Sequence, residues 1–172
     1  MDQEKKLRLK QQIQALRSSN RTAILDTIKE LRSEGDVSVL PELFSLLLVQ
    51  EDEEILAEIS TLLNDLKDKE AAEILAHAIA NPEYEKIQTT LIAACWQNGL
   101  SYGKYIDIFV NVVISGNYST AIEAFTVIEE AVGDLEEKER QQLAASLKSK
   151  LREVDDQKKA LFAELVKVIS SY

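Results

Sequence analysis

Residues 20–50 read NRTAILDTIKELRSEGDVSVLPELFSLLLVQ, and residues 51–81 read EDEEILAEISTLLNDLKDKEAAEILAHAIAN. Laid over one another at a spacing of 31, without a gap, the two stretches match in apolar character. Ile24 falls on Ile55, Leu25 on Leu56, Ile28 on Ile59 and Leu31 on Leu62. Further on, Leu43 falls on Ile74, Phe44 on Leu75, Leu47 on Ala78 and Leu48 on Ile79. Another step of about 31 carries Ile74, Leu75, Ala78 and Ile79 to Tyr105, Ile106, Phe109 and Val110. Within each stretch the apolar residues recur every three or four positions, which puts them on one face of a helix. Two helices in each period predict helical hairpins. A single hairpin leaves an apolar face bare, and stacking it on the next buries that face.

Punctuation residues divide the rest. Asn20 is a helix cap and Gly35 a stop; Ser38 is expected to cap the next helix, with Pro41 in its first turn, where no acceptor awaits the missing N–H. The run Glu51 to Glu54 opens a third helix, and Asn81-Pro82 marks a restart whose helix stops near Asn98-Gly99. Ser101 is expected to cap a helix that ends at Gly116. Thr120 and Glu123 have capping-box spacing before Phe125 and Ile128, although Asn117 or Ser119 serves equally well as the cap. Helices near 2–18, 136–152 and 156–170 complete the chain, and nothing alternates as a strand would. The expectation is an all-α fold of about nine or ten helices: a right-handed α-solenoid of stacked antiparallel hairpins in one domain, residues 1–172. Residues 1–19 would cap it at one end, residues 20–133 would form the repeats, and residues 134–172 would close it. In that closing pair Leu143, Leu147 and Leu151 would meet Leu161, Leu165 and Ile169.

Over residues 20–133 the chain resembles HEAT-repeat proteins, especially the short bacterial kind. The unit running from Arg21-Thr22-Ala23-Ile24-Leu25-Asp26 to Val39-Leu40-Pro41-Glu42-Leu43 carries the likeness, with a proline opening the second helix. The Asp and Arg that often mark HEAT turns are absent or displaced in the later repeats. Neither the three-helix armadillo unit nor the 34-residue tetratricopeptide pattern is found.

Composition is ordinary for a globular chain: 45% hydrophobic, 29% charged, with 5 Gly and 2 Pro. No apolar run approaches the roughly 18 residues of a membrane span, and the basic start lacks a secretory apolar region. The single cysteine, Cys95, permits no internal disulfide, so a reducing, cytoplasmic setting is expected. The sequons at Asn20 and Asn117 stand where helices begin and read as caps. Charge is segregated. Residues 1–32 hold eight Lys/Arg and four Asp/Glu, residues 33–137 four against twenty-one, and residues 138–172 eight against five. An acidic middle repels phosphate, so no nucleic acid is expected as partner; it attracts a basic protein or a Lys/Arg-rich peptide. The same surface also serves plain solubility. Self-association, basic end to acidic middle, is a further possibility, and Lys5 to Lys10 reads as the wet face of a capping helix or as a contact for an anionic surface.

No phosphate loop, metal triad or nucleophile motif is present in the sequence, and no cofactor or enzymatic activity is expected. His77, alone in an apolar helix, reads as a partly buried histidine paired with Glu73; Glu-x-x-His spacing is missed by one residue. Cys95 reads as a buried thiol, and Trp96 as core packing or a binding anchor. Tyr84, Tyr102, Tyr105 and Tyr118 gather near the inter-helix turns. If they line a concave face, acids and rings together suit a cationic peptide. Glu54, Glu58, Tyr84, Glu85 and Tyr102 are the candidate partner-binding residues of a non-catalytic adaptor. Two other classes compete. One is a HEAT-like enzyme or nucleic-acid binder of the DNA-glycosylase or bilin-lyase kind, against which the acidic balance argues; the other is a structural oligomer.

Overall fold

The computed structural model describes residues 3–171, which form ten α-helices and no strand. The chain clusters into two compact units that divide between Asn98 and Gly99.

The first unit holds α1 (Gln3–Leu16), α2 (Arg21–Glu34), α3 (Leu40–Val49), α4 (Glu53–Asn64), α5 (Glu70–Ala80) and α6 (Gln88–Asn98). Short polar side chains set the helix starts. Asn20 Oδ1 accepts from the Ala23 N–H at the head of α2, and Asp52 Oδ1 accepts from the Glu54 and Ile55 N–H groups at the head of α4. Helices α2, α4 and α6 pack in sequence as one row, and α1, α3 and α5 as another; α1 touches α2, α3 touches α4 and α5 touches α6. Between the rows lie Ile28, Leu43, Ile59, Leu63, Leu75 and Leu91, all 0% exposed.

Two helix starts in this unit differ from expectation. Asp36, not Ser38, caps the turn after α2: its carboxylate accepts from the Ser38 N–H, and a 3₁₀ turn, Val37–Val39, precedes α3. Pro82 opens a 3₁₀ segment, Pro82–Ile87, before α6 begins. The repeat also slips by one residue. The step of 31 holds for Ile24, Ile28 and Leu31 against Ile55, Ile59 and Leu62, all buried. In the second row Leu40, Leu43, Phe44 and Leu47 match the buried Ala72, Leu75, Ala76 and Ile79 at a step of 32, while Phe44 and Leu47 also match the buried Leu75 and Ala78 at the expected 31. Their caps, Asp36 and Asp68, share the step of 32 and accept alike from the N–H two residues on. Ile74 and Leu48 are half-buried.

Gly99 has φ of +67°, the left-handed conformation that stops a helix without a Cβ clash. In the second unit come α7 (Ile106–Ser115), α8 (Tyr118–Ala131), α9 (Glu137–Lys150) and α10 (Lys159–Ser171). Ser101 does not cap α7; its hydroxyl donates to Asp134 at 2.6 Å, and a 3₁₀ turn, Gly103–Tyr105, leads into the helix. Asn117 caps α8 by accepting from the Thr120 N–H and hydroxyl. Gly116, just before it, is needed for room: a Cβ would meet the Val112 carbonyl oxygen at 2.7 Å. Helix α7 packs along α8, and α10 packs on both α8 and α9. Leu143, Leu147, Leu165 and Ile169 are buried as expected, but Phe162 fills the place given to Leu161. Leu151 is 39% exposed because α9 has already ended at Lys150.

Candidate functional site

Glu54 and Glu58 stand one turn apart on α4, and cations of α2 reach both. Arg21 Nε donates to Asp52 at 2.8 Å and its Nη2 pairs with Glu54. Arg32 Nη2 donates to Asp65 at 2.6 Å, with its Nη1 3.6 Å from Glu58. The Arg21 hydrogen bond, helped by the Ile55 N–H, holds the Asp52 carboxyl below its ordinary range.

These pairs belong to a series. Arg21 to Asp52 spans 31 residues, Arg21 to Glu54 33, Arg32 to Asp65 33, Asn64 to Gln97 33, Lys67 to the Asn98 carbonyl 31, and Ser101 to Asp134 33. Each links a group to the equivalent place one repeat later, within its own unit.

Tyr84 and Glu85 lie in the 3₁₀ segment before α6. The half-buried Tyr84 ring meets Phe44 edge-on, with centroids 5.7 Å apart, while Glu85 is exposed. Tyr102 must be corrected: at 2% exposed, edge-on to Phe109 at 5.6 Å, it is a core residue and presents no ring to a partner. Of the five candidates, Glu54 and Glu58 share a helix, and Tyr84 and Glu85 adjoin.

Three further expectations divide. Cys95 is buried, its thiol donating to the Leu91 carbonyl. His77 is exposed, not partly buried, because the turns Ala72, Leu75, Ala76 and Ile79 take the core side of α5. Trp96 is 40% exposed where core packing was favoured. Among the described residues, no three His, Cys, Asp or Glu side chains gather to hold a metal ion, and no helix is long and apolar enough to cross a membrane.

Two features escaped sequence reading. Lys158 is 6% exposed, and its ammonium donates to the carbonyls of Ile114 at 2.5 Å and Gly116 at 2.8 Å, at the end of α7 where the helix dipole favours a cation. It lies beside an open cleft of about 500 Å³ whose lining includes Tyr118, Glu153 and Asp155. The second is a bare face on α8, with Tyr118 50% and Ile122 40% exposed. On a helical wheel the apolar residues of α8 form one continuous arc, so burial alone separates this stripe from the core side.

Compared with models of known protein families and with curated proteins, the chain matches none.

Proposed function

We propose that the chain is a HEAT-like α-solenoid adaptor that binds a basic protein or Lys/Arg-rich segment on an acidic surface and transforms no substrate. The two sequential helix rows of residues 1–98 and the 31-to-32-residue recurrence support the solenoid reading. What carries the binding reading is where the acid excess lies once internal pairs are formed. Lys5, Arg8, Arg17, Arg21 and Arg32 pair with acids no further along than Asp65. Residues 66–137 then hold twelve Asp/Glu against four Lys/Arg. Glu70, Glu73, Glu83, Glu85, Asp107, Glu129 and Glu130 are exposed among them. Such a field speeds the arrival of a cationic partner more than it deepens final affinity.

Affinity capture from native extract at low and high salt, read by mass spectrometry, tests this. One basic protein held at low salt and released at high salt is expected, with weaker capture by the Glu83→Lys, Glu85→Lys double variant. Capture of no protein at either salt, or turnover that survives repurification, would overturn the reading.

A further inference from the structure

The solvent face of α8 carries a short apolar stripe. Tyr118, Ile122 and Phe125 follow at i, i+4 and i+7, and Glu129 continues the line one turn later with exposed Glu130 beside it. This stripe lies away from the buried Ala121, Ala124 and Ile128, which face the second unit's core. At its other end Tyr118 borders the cleft lined by Glu153 and Asp155. Two exposed apolar side chains thus lie between acids at either end. A complementary occupant is a helix with an exposed apolar residue among lysines.

The chain itself presents such a helix. On α1 the buried Gln12 and Leu16 define one side, and Leu7, 58% exposed, stands opposite them with exposed Lys6 and Lys10 on its flank. We infer that α1 of a second copy docks on this face of α8, with Leu7 entering between Tyr118 and Ile122 and the lysines meeting Glu129 and Glu130. The inference rests on the reading of the acidic region as a docking surface for cationic helices. Because the two patches differ, the contact is made twice in a two-fold dimer or once per copy in an open row. A contact of one leucine and a few exposed ion pairs is weak, and salt weakens it further.

Sedimentation equilibrium of the full chain across a wide concentration range is the test. At low salt the average mass is expected to rise above the 19.3 kDa of one chain as concentration increases, and to fall back at high salt. Ile122→Glu and Leu7→Glu, both at exposed positions, are each expected to weaken association about tenfold or more. Lys6→Glu with Lys10→Glu, and separately Glu129→Lys with Glu130→Lys, are expected to remain monomeric alone and to associate when mixed, circular dichroism showing both folded. A wild-type chain that keeps the mass of a monomer throughout, or charge variants that associate unchanged, overturns the inference. Either result leaves capture of a basic protein standing, whereas association without any captured protein removes the adaptor reading alone.

Discussion

Lys158 and Lys159 are neighbours in sequence and opposites in the fold. Lys159 is exposed and pairs with Asp156, while Lys158 is buried and closes the end of α7 through two carbonyl oxygens. Replacing Lys158 by Met keeps the apolar stem but strips both carbonyls of a charged donor. The loss expected is about 2 kcal/mol in the second unit, read as a lower Tm in calorimetry. Nothing in a pair of lysines says which one turns inward; a rotation of one helical position decides it, and that is fixed only once α10 has found α8. The exposure of His77 has the same cause, since apolar neighbours in sequence do not say which side of a helix a residue occupies. Asp36 carries a pH-dependent contribution. The Ser38 hydroxyl, then the Ser38 N–H and the Lys5 ammonium, lower its carboxyl to about 2. A depressed carboxylate contributes stability above its unfolded pKa, about 3.9, and loses it as pH falls toward the folded value. Asp36→Asn should therefore be less stable than wild type near neutrality. The two melting curves should converge as pH falls from about 4 to about 2.

At the level of the element, boundaries set by Asn and Gly were readable and those set by Ser were not. Asn20, Asn81 and Asn117 all accept from N–H groups at the starts expected of them. Ser38 and Ser101 failed because a carboxylate two residues earlier took one turn and Asp134 took the other hydroxyl. Asn117→Ala should lower stability by about 1 kcal/mol through the lost α8 cap, measurable by urea denaturation, and Asn117→Asp should recover most of it. The repeat was legible to within one residue. Helical periodicity tolerates a step of 31 or 32 because a shift of one position still leaves some apolar residue near the core; only burial distinguishes Leu75 from Ile74 as the partner of Leu43. The bare stripe on α8 was hidden by the same tolerance, since Tyr118, Ile122 and Phe125 run on without a break from the buried apolar residues of that helix.

For the whole molecule, net charge of −10 makes a field that a single reporter can sense, since Trp96 is the only tryptophan and is 40% exposed. With each quencher taken relative to a free neutral tryptophan amide, its fluorescence should be quenched more strongly by caesium than by iodide at low salt, with the difference shrinking as added salt screens the field. Equal relative quenching at low salt would mean that the acid excess does not reach that surface. Six of the polar links between successive repeats share a direction as well as a spacing, while the Asn98 amide donates back to the Leu63 carbonyl. In all six the donor comes first in the chain and the acceptor 31 or 33 residues later. The fold therefore has something like a reading frame. Adding or removing one whole hairpin would bring a new donor to each waiting acceptor. Adding half of one would carry the donors past their acceptors, so lengthening such a chain is tolerated only in whole steps.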